Sequence, residues 1–323
     1  MHNKCLLIGL GQIGMGFDLQ ADQSKVYSHA RAFSTHPFFE LSGAVDPSEE
    51  KRNIFKKIYE RPVFSSLLNA LQKTNPDIVV VAVPTEMHYQ VINDVLDQSN
   101  ASIILCEKPL SFDIKEARLI VAACTKKGVQ LFVNFIRRSD RGALEVQQRI
   151  ANGLIATPVK GTSWYTKGFL HNGSHFFNLL EFWLGKMIHS KELSAGRIYD
   201  SKYPEPDIYV EFEKGNIVFL AGREEAFSYY NIELLSPSGR LRYENSGELI
   251  RWEATQTDPN FPGYSMLKKE PEIITNGMDR YQWHVTDQLA KLISGEPSSL
   301  CTGKEALLTL ESMHQTINKN KHE

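Results

Sequence analysis

Cys5-Leu6-Leu7-Ile8-Gly9-Leu10-Gly11-Gln12-Ile13-Gly14 decides the fold. Four apolar residues run directly into a Gly-x-Gly-x-x-Gly pattern. A short unbroken apolar run reads as a strand buried on both faces. The glycines permit a tight turn and let the backbone approach a pyrophosphate, and a helix is expected next to aim its first N–H groups at that anion. Alone the pattern is weak. Its place between a buried strand and a helix, in the first unit of a βαβ domain, marks it as a dinucleotide site. Gly9, Gly11, Gln12, Ile13 and Gly14 are therefore expected at a bound cofactor.

Working outward, the runs Leu41–Val45, Ile78–Val83, Ile103–Cys106 and Val129–Val133 repeat the apolar, non-alternating texture of Cys5–Ile8. Helical segments are expected between them. Pro47–Tyr59 carries mixed charge after a turn. Glu86–Asp97 places Val91, Val95 and Leu96 on one face. Ser111 is the expected N-cap of Phe112–Lys127, and Gly128 its terminator. This order predicts right-handed crossovers and a doubly wound parallel sheet, an α/β fold. After Arg141 the texture changes. Lys160–Lys167, Ile208–Glu213, Ile217–Leu220, Tyr230–Leu235 and Leu249–Glu253 read as longer, partly alternating strands, with turns at Lys214-Gly215-Asn216 and Ser236-Pro237-Ser238-Gly239. An antiparallel sheet with one packed face fits this pattern. Two helices, Tyr281–Ser294 and Gly303–Asn318, close the chain. The expected division is 1–135 for the Rossmann domain and 136–323 for a second α/β domain.

The bulk numbers narrow the function. The chain has 323 residues, 42% hydrophobic and 23% charged, enough for a core in each of two domains. A net charge of −2 leaves no electrostatic footprint for nucleic acid or an anionic membrane. No apolar stretch of about 18 residues suggests a membrane span. Cys5, Cys106, Cys124 and Cys301 lie far apart without a Cys-x-x-Cys pair, which reads as reduced thiols of a cytoplasmic protein.

Asp46 ends the second apolar run, where an acid can accept hydrogen bonds from both ribose hydroxyls of NAD and oppose the 2′-phosphate of NADP. It can equally start a helix, with Pro47 at the first helical position. It lies about a dozen residues further from the glycines than the usual spacing of about 20. The polar stretch Phe17–Ser28 accounts for the excess. It reads either as a lid at the cofactor mouth or as a surface loop, before a helix near His29–His36.

Glu107-Lys108-Pro109 follows the fourth apolar run. With Gly9–Gly14 and Asp46, it resembles the glucose–fructose oxidoreductase / inositol dehydrogenase (Gfo/Idh/MocA) family. The likeness takes in Ala82-Val83-Pro84-Thr85-Glu86-Met87-His88, Asn134 with Arg137 and Arg138, Gly173-Ser174-His175, and Thr302-Gly303-Lys304-Glu305-Ala306-Leu307. It implies an NAD-dependent oxidoreductase acting on sugars, inositols or nucleotide sugars. Its second domain would carry an open, mainly antiparallel sheet that binds substrate and joins copies into a homodimer or homotetramer. Pro84, His88 and Glu107 are implied at the cofactor.

The resemblance also implies that Lys108 sits near the nicotinamide and the reacting hydroxyl, and that His175 is the general acid/base. A neutral imidazole suits that task. Without the resemblance, His175 reads as a core histidine. The family pattern Asp-x-Gly-x-His-x-x-Asp is His171-Asn172-Gly173-Ser174-His175-Phe176-Phe177-Asn178 here. His171 and Asn178 thus replace two acids. His171 is a second candidate base, and Asn178 is expected to orient substrate or the His175 ring. Tyr165, Lys167, Asn134 and Arg137 are expected at the substrate, with interdomain salt bridging the alternative for Arg137 and Arg138. His171 and His175 have a spacing that can bind zinc on a helix, but no acid or thiol nearby completes a set, so no metal is expected. Two other readings remain. One is a redox-neutral enzyme that oxidises and re-reduces a sugar on tightly bound NAD. The other is a non-catalytic NAD-binding sensor.

Overall fold

The apolar runs become strands because each is buried along nearly its whole length. The computed structural model describes residues 3–318. In chain order the first elements are β1 (Asn3–Ile8), α1 (His29–Thr35), β2 (Phe39–Val45), α2 (Glu49–Tyr59), β3 (Val63–Phe64), α3 (Leu67–Thr74), β4 (Ile78–Val81), α4 (His88–Gln98), β5 (Ile103–Cys106), α5 (Ile114–Lys127) and β6 (Gln130–Val133). They are followed by α6 (Arg141–Ala151), β7 (Val159–Tyr165), α7 (Ser174–Leu184), β8 (Met187–Tyr199), β9 (Tyr203–Phe212), β10 (Gly215–Ala221), β11 (Ile232–Ser236), β12 (Gly239–Glu244), β13 (Leu249–Thr257), β14 (Ser265–Leu267) and β15 (Glu272–Ile274). The chain ends with α8 (Tyr281–Ile293), β16 (Cys301–Thr302) and α9 (Gly303–Asn318).

Two compact units result. One comprises the described residues up to Ser139 together with Asp279–Leu308; the other comprises Asp140–Met278 with the described residues from Thr309 onward. The first crossing, at Ser139/Asp140, falls close to the division expected at 135. The return of Asp279–Leu308 to the first unit has no signal in the sequence. It brings α8 and the two-residue β16, which pairs antiparallel with β6.

The first unit is a Rossmann sheet in the order β16-β6-β5-β4-β1-β2-β3, parallel throughout except for β16. The strand order reverses between β1 and β4, and ligands of such sheets bind beyond the strand ends at that point. The short β3 and α3 were not expected: two half-buried residues and a helix of eight leave little periodic signal. Two helix starts also differ. Ser48, not Asp46, caps α2, which starts at Glu49 rather than Pro47, and its Oγ accepts from Lys51 N–H. Asp113, not Ser111, caps α5, while Ser111 Oγ accepts from Asp113 N–H and donates to Glu116. Gly128 ends α5 in the left-handed conformation, as expected.

The helix expected straight after the glycine turn is split. Residues 11–17 make one turn, with Met15 and Gly16 N–H bonded to Gly11 O and Phe17 N–H to Gln12 O. The chain then leaves and returns so that His29 N–H bonds Ile13 O and Ala30 N–H bonds Gly14 O. Thus α1 resumes the hydrogen-bond ladder that the first turn began, and Phe17–Ser28 is an excursion from a broken helix. Asp18 closes its base. This buried carboxylate accepts from Tyr27 and Ser28 N–H and from the Ser28 hydroxyl, beside Arg31. The far end is tied to the start of α8. Val26 N–H donates to Asp279 O, Gln282 N–H donates to Val26 O, and Tyr27 stacks on Tyr281 at 5.3 Å.

The second unit is an antiparallel sheet, apart from the parallel pair β7–β10, in the order β14-β13-β12-β11-β7-β10-β9-β8, with β15 also on β13. Alternation sets its faces. Ile208, Val210, Phe219, Leu234, Leu241 and Trp252 form a core with Val146, Phe177, Leu180 and Trp183 of α6 and α7. Other positions on β12 and β13 carry charge, with Glu253 accepting from Arg240 and Arg242.

Asp18→Ala should strip three donors of their acceptor and lower stability by about 2–3 kcal/mol. Urea denaturation measures the loss, and amide exchange at Tyr27 and Ser28 should quicken. An unchanged midpoint would show that the base of the excursion is not held by this carboxylate.

Candidate cofactor and active site

The glycine turn lies at the switch point, directly after β1. Gly9 has φ +98°, and a Cβ there would meet the backbone of Ala82, so only glycine lets the turn pass this close to the end of β4. A Cβ on Gly14 would strike Gly9 O. At Gly11 the situation is reversed: a Cβ would meet nothing of the protein within 4 Å. The turn is therefore tight on the protein side and open at Gly11, which fits the approach of a pyrophosphate. The first N–H groups of the turn, from Gly11 to Gly14, have no acceptor among the described residues, as at the start of any helix.

Asp46 lies at the expected end of β2. It does not cap α2. Its Oδ2 accepts from Leu10 N–H at 2.8 Å and its Oδ1 from Ser48 N–H at 2.9 Å, tying the glycine turn to the second strand. Pro84 is exposed at the end of β4. His88, by contrast, is fully buried. Its ring nitrogens lie 3.2 Å from Leu110 O and 3.1 Å from Val83 O, so it joins two loops and offers nothing to a cofactor. Burial lowers its pKa, outweighing the two carbonyls that favour the cation.

Glu107 leaves the end of β5, and its carboxylate points into the protein. Oε1 lies 2.7 Å from His29 Nε2 and accepts from Asn134 Nδ2 at 2.6 Å, while Oε2 accepts from Lys108 N–H at 3.3 Å. Asn134 also donates to Gln282 Oε1 at 3.2 Å. This corrects two expectations: Glu107 is spent on an internal network, and Asn134, 1% exposed, is spent beneath it rather than on substrate. Burial pushes the Glu107 carboxyl up. The bonds from His29 and Asn134 and the charge of Lys108 outweigh that, so it stays below its ordinary value. For Lys108 burial dominates. It drives the ammonium down to about 8, with Arg137 adding to the effect and Glu107 opposing it. Arg137 is buried in the turn after β6. Arg138 pairs with Glu305 at 2.9 Å, a bond inside the first unit rather than between domains.

In the second unit, Gly168–Gly173 forms a π-type turn that leads into α7. His171 sits in that turn and His175 in the helix, so the two do not share the regular helical face that their spacing suggested. Both are half-buried. Tyr203 stacks on His171 at 5.2 Å, and Gly168 makes room for it, since a Cβ there would strike Tyr203. Lys167, with φ +61°, holds a left-handed conformation that costs a non-glycine residue about 1 kcal/mol or more. Its ammonium pairs with Glu224 at 2.9 Å, which raises its pKa. Glu224 also accepts from Thr166 Oγ1, which lies 2.8 Å from the Tyr230 hydroxyl; Asn172 Nδ2 donates to the same Tyr230 hydroxyl. Tyr230 stacks on Phe176 at 5.5 Å. Two residues expected at the substrate lie inside the protein. Tyr165 belongs to the core, its hydroxyl donating to Pro206 O. Asn178 is buried, with Nδ2 donating to Thr309 Oγ1 at 3.0 Å. No group of three or more His, Cys, Asp or Glu among the described residues could hold a metal.

Sequence reasoning missed His29, Gln282, Glu224 and Tyr230. None belongs to a motif, and each reaches its partner only through folding. A helical start at His29 was expected, but nothing in the sequence joins it to Glu107, 78 residues away.

A parallel Rossmann sheet with a glycine turn at its switch point, joined in one chain to an antiparallel α/β unit, defines a dinucleotide-binding protein. Residues 4–135 match the model of an oxidoreductase family with an NAD-binding Rossmann fold. The match places the Rossmann unit in this family, the Gfo/Idh/MocA oxidoreductases. It is 24% identical over 270 residues to the uncharacterized oxidoreductase YrbE of Bacillus subtilis, covering 76% of each chain. It is 30% identical over 112 residues to an inositol 2-dehydrogenase of Rubrobacter xylanophilus, 34% of this chain and 32% of that one. Its fold matches the WlbA dehydrogenase of Bordetella pertussis, solved with NADH and UDP-GlcNAcA, with a TM-score of 0.75 at 17% identity over 99% of this chain and 96% of that one. No helix among the described residues is long and apolar enough to cross a membrane.

Competitive acetylation across pH, read by mass spectrometry, should place the Lys108 midpoint near 8, well below exposed lysines near 10.4. Below the midpoint Lys108 is protected as ammonium; above it the amine reacts. A midpoint of about 10, the ordinary lysine range, would remove the claim that burial dominates at this residue.

Proposed function

We propose that the protein is an NAD-dependent dehydrogenase that moves a hydride between nicotinamide and a hydroxyl-bearing carbon of a sugar, inositol or nucleotide sugar. The observation that carries this reading is Lys108, half-buried after β5 at the edge of the nucleotide sheet, with its ammonium driven down to about 8. A bound nicotinamide would accept the hydride. The chain must then handle the hydroxyl proton. At pH 7 a lysine with that pKa is about nine-tenths ammonium, so it can donate a hydrogen bond to the substrate oxygen and still exchange a proton. His175 takes the proton as the hydroxyl carbon is oxidised, and His171, held by the Tyr203 ring, supports it or replaces it as base. Lys167 and Arg137 are the candidate substrate contacts. Tyr165, Asn134 and Asn178 are not, because each is buried and its hydroxyl or amide nitrogen donates inside the protein.

NAD rather than NADP is the proposed cofactor, supported by Asp46 at the end of β2. A 2′-phosphate would meet a carboxylate there. Arg52 is the nearby cation whose Nη1 donates to the carbonyls of Asp46 and Pro47. The inositol dehydrogenase relative and the nucleotide sugar bound to WlbA support the substrate class. A cytoplasmic homo-oligomer built on the second sheet goes with the same proposal.

Screening sugars, inositols and nucleotide sugars at the reduced-nicotinamide band tests the reaction. On a confirmed substrate, Lys108→Ala or His175→Ala should cut turnover by about 100-fold or more with NAD binding little changed. His171→Ala should cost less if it only supports, and as much if it is the base. Full activity of both Lys108→Ala and His175→Ala would mean the chemistry lies elsewhere. Titrating both oxidised cofactors checks the other half. NAD should bind more tightly, and Asp46→Ser should narrow the gap; tighter binding of NADP would sink the role given to Asp46 and point to Arg52.

A further inference from the structure

Four residues far apart in sequence meet behind Lys108: His29 of α1, Glu107 after β5, Asn134 after β6 and Gln282 of α8. All but Glu107 are essentially without solvent exposure, at 1%, 1% and 0% for His29, Asn134 and Gln282. The two hydrogens of the Asn134 amide are spent on Glu107 and Gln282. A carboxylate with so little water needs at least two donors to stay ionised, and of the two on Oε1 one is Asn134. The other is His29. The anion in turn is the group that favours the charged form of Lys108, against burial and Arg137. Tyr281 of α8, His88 of α4 and the Cys106 thiol of β5 also feel the Glu107 charge.

We infer that His29 is a positioning residue for Lys108: its contact with Glu107 fixes the carboxylate that supports the ammonium, and the excursion before it fixes His29. His29 follows the two residues that bind α8, Val26 and Tyr27, and its own N–H continues the ladder from Ile13. Docking of the excursion therefore sets where the imidazole stands. The lysine is coupled in this way, through His29 and Glu107, to a segment about 80 residues before it in the chain. This rests on the reading of Lys108 as the reacting group, but its test does not.

The test is competitive acetylation of Lys108 across pH on the full chain, with three substitutions at 29. The amide of His29→Gln reaches where Nε2 stands and can still donate to Glu107. The amide of His29→Asn reaches only as far as Nδ1 and falls short. His29→Leu removes the donor altogether. Asn and Leu should lower the Lys108 midpoint by about half to one pH unit, because a less firmly held carboxylate supports the ammonium less. Gln should restore it nearly to the unsubstituted value. If the Leu variant does not fold, the Gln–Asn comparison decides. A midpoint unchanged in Asn, or shifted as far by Gln as by Asn, would overturn the inference and leave His29 as packing alone. The labelling reads the lysine whatever it reacts with, so a failed substrate screen would count against the dehydrogenase and not against this coupling.

Discussion

A carboxylate that leaves a fully buried strand cannot count on water, and the first unit is arranged around satisfying one. β5 delivers Glu107 to the end of the sheet, where ionising it costs several kcal/mol unless donors converge. They come from α1 and from the residue that follows β6, and that residue, Asn134, is held in turn by α8. The partners lie 78 and 27 residues from Glu107 in the chain, and Gln282 lies 148 from Asn134. The network accounts for the return of Asp279–Leu308 to this unit: without α8, Asn134 would lose the acceptor for its second hydrogen.

The excursion Phe17–Ser28 follows from the same constraint. Breaking a helix after one turn leaves backbone groups to be satisfied. Here the broken ends are bonded to each other, Ile13 to His29 and Gly14 to Ala30, so the ladder is conserved while a dozen residues leave it. Asp18 supplies acceptors for the returning N–H groups. The open side of the glycine turn at Gly11 is left unobstructed. A cofactor turn and an insertion thus share one short helix without either giving up hydrogen bonds.

The second unit shows how the loss of two acids is absorbed. His171 and Asn178 stand where the family pattern has aspartates. Asn178 has become internal, bonded to Thr309 of α9, whose hydroxyl donates to Glu181. His171 is held by an aromatic stack rather than by a carboxylate. Negative charge reaches this region from another element, through Glu224 after β10, and it is balanced by Lys167. The strained backbone of Lys167 and the π-type turn after it coincide with the residues that the family motif marks as functional, where such strain tends to be kept.

Much of the first unit was legible in order. Strands buried on both faces declare themselves as apolar runs, and Gly9, Gly11, Gly14, Asp46 and Glu107-Lys108-Pro109 each sit at a strand end, where local spacing is enough to place them. β8 escaped because exposed positions interrupt its alternation, and β12 because its regular alternation spans only six residues beside an expected turn. Tyr165, Asn134 and His88 were placed correctly along the chain, but the internal partners of their polar groups were not foreseen, because sequence tells which element carries a side chain but not what it meets. The sequence by itself determined the parallel sheet, the glycine turn and the lysine at its edge, since each follows from backbone rules over a few neighbouring residues. Only the tertiary structure decided that the helix after the turn is split, that His29 stands against Glu107, and that Lys108 is buried enough to lose its proton near 8. Those depend on desolvation and on donors brought from distant parts of the chain, and neither has a local signal.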